Sequence, residues 1–502
     1  MNVGAPETTP VLRVAGRTWA ARILVWPLCV AVVVVHFVMA HDDFPTAARL
    51  YAGLLACVAV LCVAYAPIRV VPALAIGMSY FYAALGAPVF ARGTTFSVFG
   101  PIRLPPSALQ DATLAALLFA CVVVASATIS DRATRRVAWG IARRLEGGET
   151  YGLEHTVVAR TLAFFALGVK LALVMNVNFG SLKQPANLFS APVIVTTLLF
   201  WDAEQTKRTS ARYLFWITVG VQWVLGMMSG MMGNALAPPV MAAALLWARR
   251  GHLPAGLLAA GACAFLIFNP AKVTYRKITW FTPETTSLER FTNWGDALWI
   301  TYFDRENDGL EDVGTSFENS LGSAAMRLNT LGQVAQMFDW VPERVPHAGP
   351  DRWLTVPKLL MPRALWPDKP IQEEFFNKNY TFQFRLQTPQ AAASGTTSIT
   401  LPSVGDGYWR LGWPGVAIEA AFLGLIIGWA QAVGRGGVSR IASRTSLLLA
   451  ASLMQLHTDL HTFGLLNGAL QQLVVALVVA WVAKWMADLL AAPSLAPAQG
   501  QV

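Results

Sequence analysis

Six side chains in one polar stretch could do chemistry: Arg327, Arg363, Lys369, Arg410, Asp406 and His347. Arginine's planar fork grips phosphate through two parallel hydrogen bonds, and lysine adds a point charge. Cations of this kind would stabilise a diphosphate as it departs with its negative charge. The alternative for Arg363 and Lys369 is a pair with Asp368 or contact with lipid headgroups. Asp406 stands between Gly405 and Gly407, where little side-chain bulk blocks access. It could take up a proton or form an Asp-Gly turn. His347 could titrate near neutrality or be a plain surface-loop histidine. Glu373 and Glu374 are adjacent and read as a solvated face.

The elements that carry these residues follow from periodicity. Phe317–Trp340 predicts an amphipathic helix, with Leu321, Ala324, Leu328, Leu331, Val334, Ala335 and Phe338 on one face. Asn329, Gln333 and Gln336 fall on the opposite side. Arg327 lies along the edge of the apolar stripe, where it must snorkel, pair or bind an anion. Pro342–Pro350 reads as a loop holding His347. Trp353–Met361 is short and apolar, suited to the membrane surface. Pro362-Arg363-Ala364-Leu365-Trp366-Pro367-Asp368-Lys369-Pro370 is extended and rigid by its prolines. Residues 391–400 are small and rich in Ser and Thr, as in a mobile loop. Ser403–Trp413 leads into the next apolar segment, and its Tyr408, Trp409 and Trp413 suit a membrane interface.

The polar stretch interrupts a membrane protein. Of the 502 residues 55% are hydrophobic and only 13% charged, with mean hydropathy +0.47, whereas a soluble chain carries about 25% charged residues. Apolar runs of about 20 residues cross a bilayer as helices. We read an all-α polytopic fold of about twelve transmembrane helices, at 20–40, 50–67, 70–88, 109–129, 157–176, 186–203, 211–232, 235–249, 253–269, 413–431, 444–462 and 466–489. The chain divides into an N-terminal membrane region (1–269), a large outer loop (270–411) and a C-terminal membrane region (412–502). No cleavable leader precedes the first helix, which reads as retained. Arg13, Arg17, Arg22, the cluster Arg132–Arg144, Lys207, Arg208, Arg212, Arg249, Arg250, Arg435, Arg440, Arg444 and Lys484 fall on one side. The positive-inside rule then puts both termini in the cytoplasm and the large loop, after the ninth helix, outside.

The same charge count excludes nucleic acid as a partner. The large loop holds 14 Lys/Arg against 16 Asp/Glu, so the net charge of +9 belongs to the cytoplasmic side. The five cysteines, Cys29, Cys57, Cys62, Cys121 and Cys263, all lie in apolar segments and read as small hydrophobes. His457 and His461 could share a helix face, but no third ligand is evident, so no metal is assigned. No nucleotide-binding or redox motif is present, and no cofactor is expected. Lys170 and Glu419 are charges inside predicted spans, and such groups pair or face a polar cavity. We expect both to face one outer cavity, as an ion pair or as a substrate contact.

Three local features resemble Wzy-type oligosaccharide repeat-unit polymerases of bacterial O-antigen and exopolysaccharide synthesis. They are Arg327-Leu328-Asn329, the run Leu360–Pro370, and Pro402–Gly415, in which Asp406 stands where a glutamate is expected. The resemblance covers about 100 residues. It implies an inner-membrane glycosyltransferase acting on the periplasmic face, which moves a growing glycan from undecaprenyl diphosphate to the next lipid-linked unit. Arg363, Lys369 and Arg327 would stabilise the departing diphosphate. Asp406, or His347, would deprotonate the acceptor hydroxyl, and Arg410 and Tyr408 would position the lipid-proximal sugar. The partners implied are a lipid-linked oligosaccharide, membrane lipids and a chain-length regulator protein. An O-antigen ligase, with His347 and Arg352 near its site, is the nearest alternative. A polysaccharide transporter or assembly protein is another, although the two halves of the chain show no symmetry.

Overall fold

In the computed structural model the residues described are 25–35, 37–38, 44–65, 94–97, 100–146, 153–175, 177–230, 232–250, 254–280, 287–303, 331–351, 353, 366, 380, 383–386, 401–440 and 462–491. They are almost entirely helical. The helices are α1 (Val25–Val35), α2 (Thr46–Tyr65), α3 (Pro106–Glu146), α4 (Leu153–Val174), α5 (Lys183–Phe189), α6 (Pro192–Thr206), α7 (Thr209–Met228), α8 (Met232–Arg250), α9 (Ala255–Trp280), α10 (Ser287–Tyr302), α11 (Leu331–Trp340), α12 (Ser403–Leu411), α13 (Trp413–Arg440) and α14 (Thr462–Ala491). One hairpin, Thr94–Ser97 with Gly100–Arg103, is antiparallel and was not expected in an all-α chain.

Among the described residues four helical stretches are long and apolar enough to cross a membrane: Pro106–Arg135, His155–Val174, Lys183–Thr206 and Gly468–Leu490. Shorter apolar helices are Val25–Val35, Thr46–Leu61, Gly233–Trp247, Gly256–Lys272 and Trp413–Trp429. Large apolar side chains such as Phe165, Tyr213, Ile217, Val474 and Trp481 are exposed. A soluble protein would not leave this much apolar surface in water; in a bilayer it meets acyl chains. The expected spans at 70–88 and 444–462 lie wholly or almost wholly outside the described residues.

Small residues set the tightest contact, between α3 and α13. Without a hydrophobic drive in lipid, helices associate where small side chains let the backbones approach. Gly424 and Gly428 lie one turn apart on α13, and Val416, Ala420, Leu423 and Ile427 are buried along the same stripe. A Cβ on Gly424 would strike Ser126 Oγ, and one on Gly428 would strike the Ala127 carbonyl oxygen. Ser130 Oγ donates to the Leu425 carbonyl at 2.6 Å, so polar atoms at the contact are satisfied within it. The outward residues Ile418, Phe422 and Leu425 remain exposed.

One boundary differs from expectation. Helix α9 runs through Pro270 to Trp280, so residue 269 falls inside a helix and not at the start of a loop. Helix α10 then packs back on it. The Tyr275 and Trp294 rings stack with centroids 4.2 Å apart, and Tyr302 Oη donates to the Ile267 carbonyl at 2.8 Å. Polar residues within 270–302 masked this pair, because their hydrogen bonds come from elsewhere in the fold: Thr274 meets Thr301 of the partner helix, while Tyr275, Trp294 and Arg276 donate to the Met228, Met227 and Gly230 carbonyls at the end of α7.

The α3–α13 contact makes a direct prediction. Gly428→Ala should lower stability by about 1–3 kcal/mol, the usual cost of overpacking. Gly220→Ala, where an added Cβ meets nothing within 4 Å, should leave it unchanged or raise it. Thermal unfolding of the two purified variants checks both.

Candidate functional site

The sequence Ser403-Val404-Gly405-Asp406-Gly407-Tyr408-Trp409-Arg410-Leu411 folds as a helix and not as an Asp-Gly turn. Pro402 leads into it in extended geometry. Asp406 in its first turn and Arg410 in its last both suit the helix dipole. Spaced four apart, they share a face. Gly412, at φ +66°, turns the chain out of α12, and its N–H donates to the Tyr408 carbonyl at 2.8 Å. Pro414 then sits in the first turn of α13, where a missing N–H costs nothing.

The two glycines beside Asp406 do not give it access. A Cβ on Gly405 would lie 2.7 Å from Met337 Sδ, and one on Gly407 would lie 2.7 Å from the Gly415 carbonyl oxygen. They let α11 and α13 close on the helix from two sides. Asp406 and Arg410 are consequently 0% exposed and Glu419 is 1% exposed. Asp406 and Arg410, expected to meet substrate, are closed off from solvent in this conformation.

The three charges form one network. Arg410 Nη2 lies 2.9 Å from Asp406 Oδ1, and Arg410 Nε lies 3.9 Å from Glu419 Oε1. The Trp353 indole N–H donates to Glu419 Oε1 at 3.2 Å, and its ring lies 5.8 Å from the guanidinium carbon. The network ties α12, α13 and the Trp353 segment together. Glu419 is thus committed to Arg410 and Trp353, not to Lys170. Lys170 is half-buried on α4 and has no ion-pair partner among the described residues.

Around α12 the outer loop builds a small core of its own. Met337, Trp340, Val341, Val345, Tyr380, Phe384, Leu386, Leu401 and Trp409 are buried together. Gln336, expected on the solvent side of its helix, is fully buried and donates to the Phe384 carbonyl at 2.9 Å. A 3.6-residue pattern identifies one apolar face; here a second face is covered by Tyr380, Phe384 and Leu386, which no periodicity reveals. Burial, and then the neighbouring Asp406, push the Tyr380 phenol well above its ordinary range.

His347 is exposed beside the end of α12. The segment Pro346–Gly349 caps the C-terminus of α12, which would otherwise leave carbonyls unsatisfied. Ala348 N–H donates to the Trp409 carbonyl at 3.0 Å and Gly349 N–H to the Arg410 carbonyl at 3.3 Å. His347 Nδ1 lies 3.2 Å from the same Trp409 oxygen. A carbonyl only accepts, so Nδ1 carries the proton and Nε2 of the neutral ring keeps its lone pair. That is the tautomer of a general base. Beside it, Tyr408 stacks on Phe338 with centroids 3.6 Å apart, and Trp413 meets both rings edge-on. The Tyr408 phenol is raised by burial and then by Asp111.

Arg327, Arg363 and Lys369 lie outside the described residues, as do Arg352, His457 and His461. Among the described residues no group of three metal-ligating side chains occurs. Trp353, Gln336 and Tyr380 were not assigned to the site from sequence, and Glu419 was expected beside Lys170 and not beside Arg410. The Asp406–Arg410 spacing was the one signal that could have found the network, and the flanking glycines hid it by arguing against a helix.

Arg410→Met should cost about 3–5 kcal/mol by leaving two buried carboxyls without their cation, read as a lower melting temperature and faster proteolysis of the outer loop. For Tyr380 the folded state keeps a proton that the unfolded state releases above its ordinary pKa of about 10. Stability should therefore fall as pH rises past that value, and Tyr380→Phe should lessen the fall in alkaline melts. The chain matches no protein family, no curated protein and no solved structure.

Proposed function

We propose that this protein is a membrane glycosyltransferase that polymerises oligosaccharide units carried on undecaprenyl diphosphate. In this reading it spans the bacterial inner membrane about twelve times, with both termini cytoplasmic and the 270–411 region periplasmic. The observation that carries the chemistry is His347: exposed, held through Nδ1 on the Trp409 carbonyl, with Nε2 available as a base. The adjoining Tyr408, Phe338 and Trp413 rings form an apolar cluster against which a sugar could pack.

The acceptor hydroxyl would give its proton to His347 Nε2 as its oxygen attacks the anomeric carbon of the donor. The bond from that carbon to the diphosphate oxygen breaks, and the diphosphate leaves on its lipid. Arg327, Arg363 and Lys369 would neutralise it, an assignment that rests on the sequence resemblance. Asp406, Arg410 and Glu419 act as positioning residues. They fix α12, and the end of α12 fixes His347. Lys170 keeps the role of a substrate contact on the membrane side.

The accessibility of His347 beside a closed-off Asp406 also favours a second reading, transfer of a finished glycan to a different acceptor, as in O-antigen ligases. The glycan ladder of a deletion strain carrying variants separates the two. Loss of a polymerase leaves single repeat units, whereas loss of a ligase leaves long chains on the carrier. His347→Ala should reduce chain extension by about 10²–10⁴-fold, the range for a lost general base, while the protein still inserts. Arg363→Ala should likewise abolish long chains. Normal chain lengths in His347→Ala would remove the proposed base.

A further inference from the structure

A second site lies at the other, Lys/Arg-rich end of the helices. A cavity of about 450 Å³ opens between α6, α7 and α8, within the roughly 300–1,000 Å³ range of small-molecule sites. Phe215, Trp216 and Leu246 line its apolar side, and Arg212, Arg249 and Glu204 its polar side. Arg249 Nε pairs with Glu204 Oε2 at 3.1 Å. Arg212 has no ion-pair partner among the described residues, so the lining keeps one positive charge in excess. Nearby Asp202 does not offset it, being held by Arg160 at 2.8 Å. Lys207, Arg208 and Arg250 add positive charge at the same end.

The cavity also reaches the apolar surface. Trp216 lines it and is itself 41% exposed, next to the exposed Ile217 and Tyr213 of the same helix. A free anion would use only the arginine side. A molecule with a negative head and acyl chains would use both, and basic pockets between membrane helices suit such headgroups. We propose that this cavity binds one anionic glycerophospholipid, its phosphate on Arg212 and its chains along Trp216, Phe215 and Leu246. The site is separate from His347 and does not depend on the glycosyltransferase reading.

Lipid retention by the purified full-length protein tests it. The protein is exchanged into detergent with phosphatidylglycerol or phosphatidylcholine of identical acyl chains, and bound lipid is counted by native mass spectrometry. The wild type should retain phosphatidylglycerol about fivefold better, the increment expected of one arginine near a headgroup. Arg212→Gln removes no ion pair among the described residues and should bring the two lipids to parity with an unchanged melting temperature. Equal retention by the wild type, or an undiminished preference in Arg212→Gln, would overturn the proposal. Displacement of the lipid by millimolar inorganic phosphate would also overturn it, since the site would then recognise a free anion alone.

Discussion

A guanidinium removed from water must be met by carboxyl groups, and Arg410 is met by two. Desolvating an ion costs several kcal/mol that ion pairing only partly returns. The network is therefore better understood as fixing an arrangement than as adding net stability. Moving Asp406, Glu419 or Trp353 would leave a buried charge or polar group unmatched. The angle between α12 and α13, and the seat of the Trp353 segment on α13, follow from that penalty.

Glycine makes this arrangement possible. Gly407 and Gly415 bring the backbones of α12 and α13 together, and a Cβ on Gly415 would overlap the Gly407 carbonyl oxygen. Gly424 and Gly428 do the same between α13 and α3. Helix α13 thus touches a small helix of the outer loop at its start and a long membrane helix along its length, both at backbone distance. The ordering of the outer loop is carried into the membrane region through one continuous element.

Asp406 is closed into the protein, and its influence passes outward through α12. The buried charges hold α12, its terminal carbonyls accept hydrogen bonds from Pro346–Gly349, and His347 takes its tautomer from one of those carbonyls. A side chain on a loop is held in one orientation only by support of this kind. At the opposite end Arg160 and Asp202 show the same economy of charge, leaving Arg212 as the cation available in its cavity.

Composition and apolar run length determined that this is a helical membrane protein, because a bilayer sets the length and polarity of whatever crosses it. Periodicity placed α11 on its apolar face, and proline and glycine marked the loop around His347. Two things were decided only by tertiary structure. One was which polar residues are buried: Gln336, Asp406 and Arg410 look solvent-facing along the chain and lose water only when Tyr380, Phe384, α13 and Trp353 cover them. The other was which charges pair, since Glu419 could have met Lys170 by depth in the membrane but meets Arg410 because Gly412 folds the chain back. Local sequence encodes which face an element offers, while the partner that covers it comes from elsewhere in the chain.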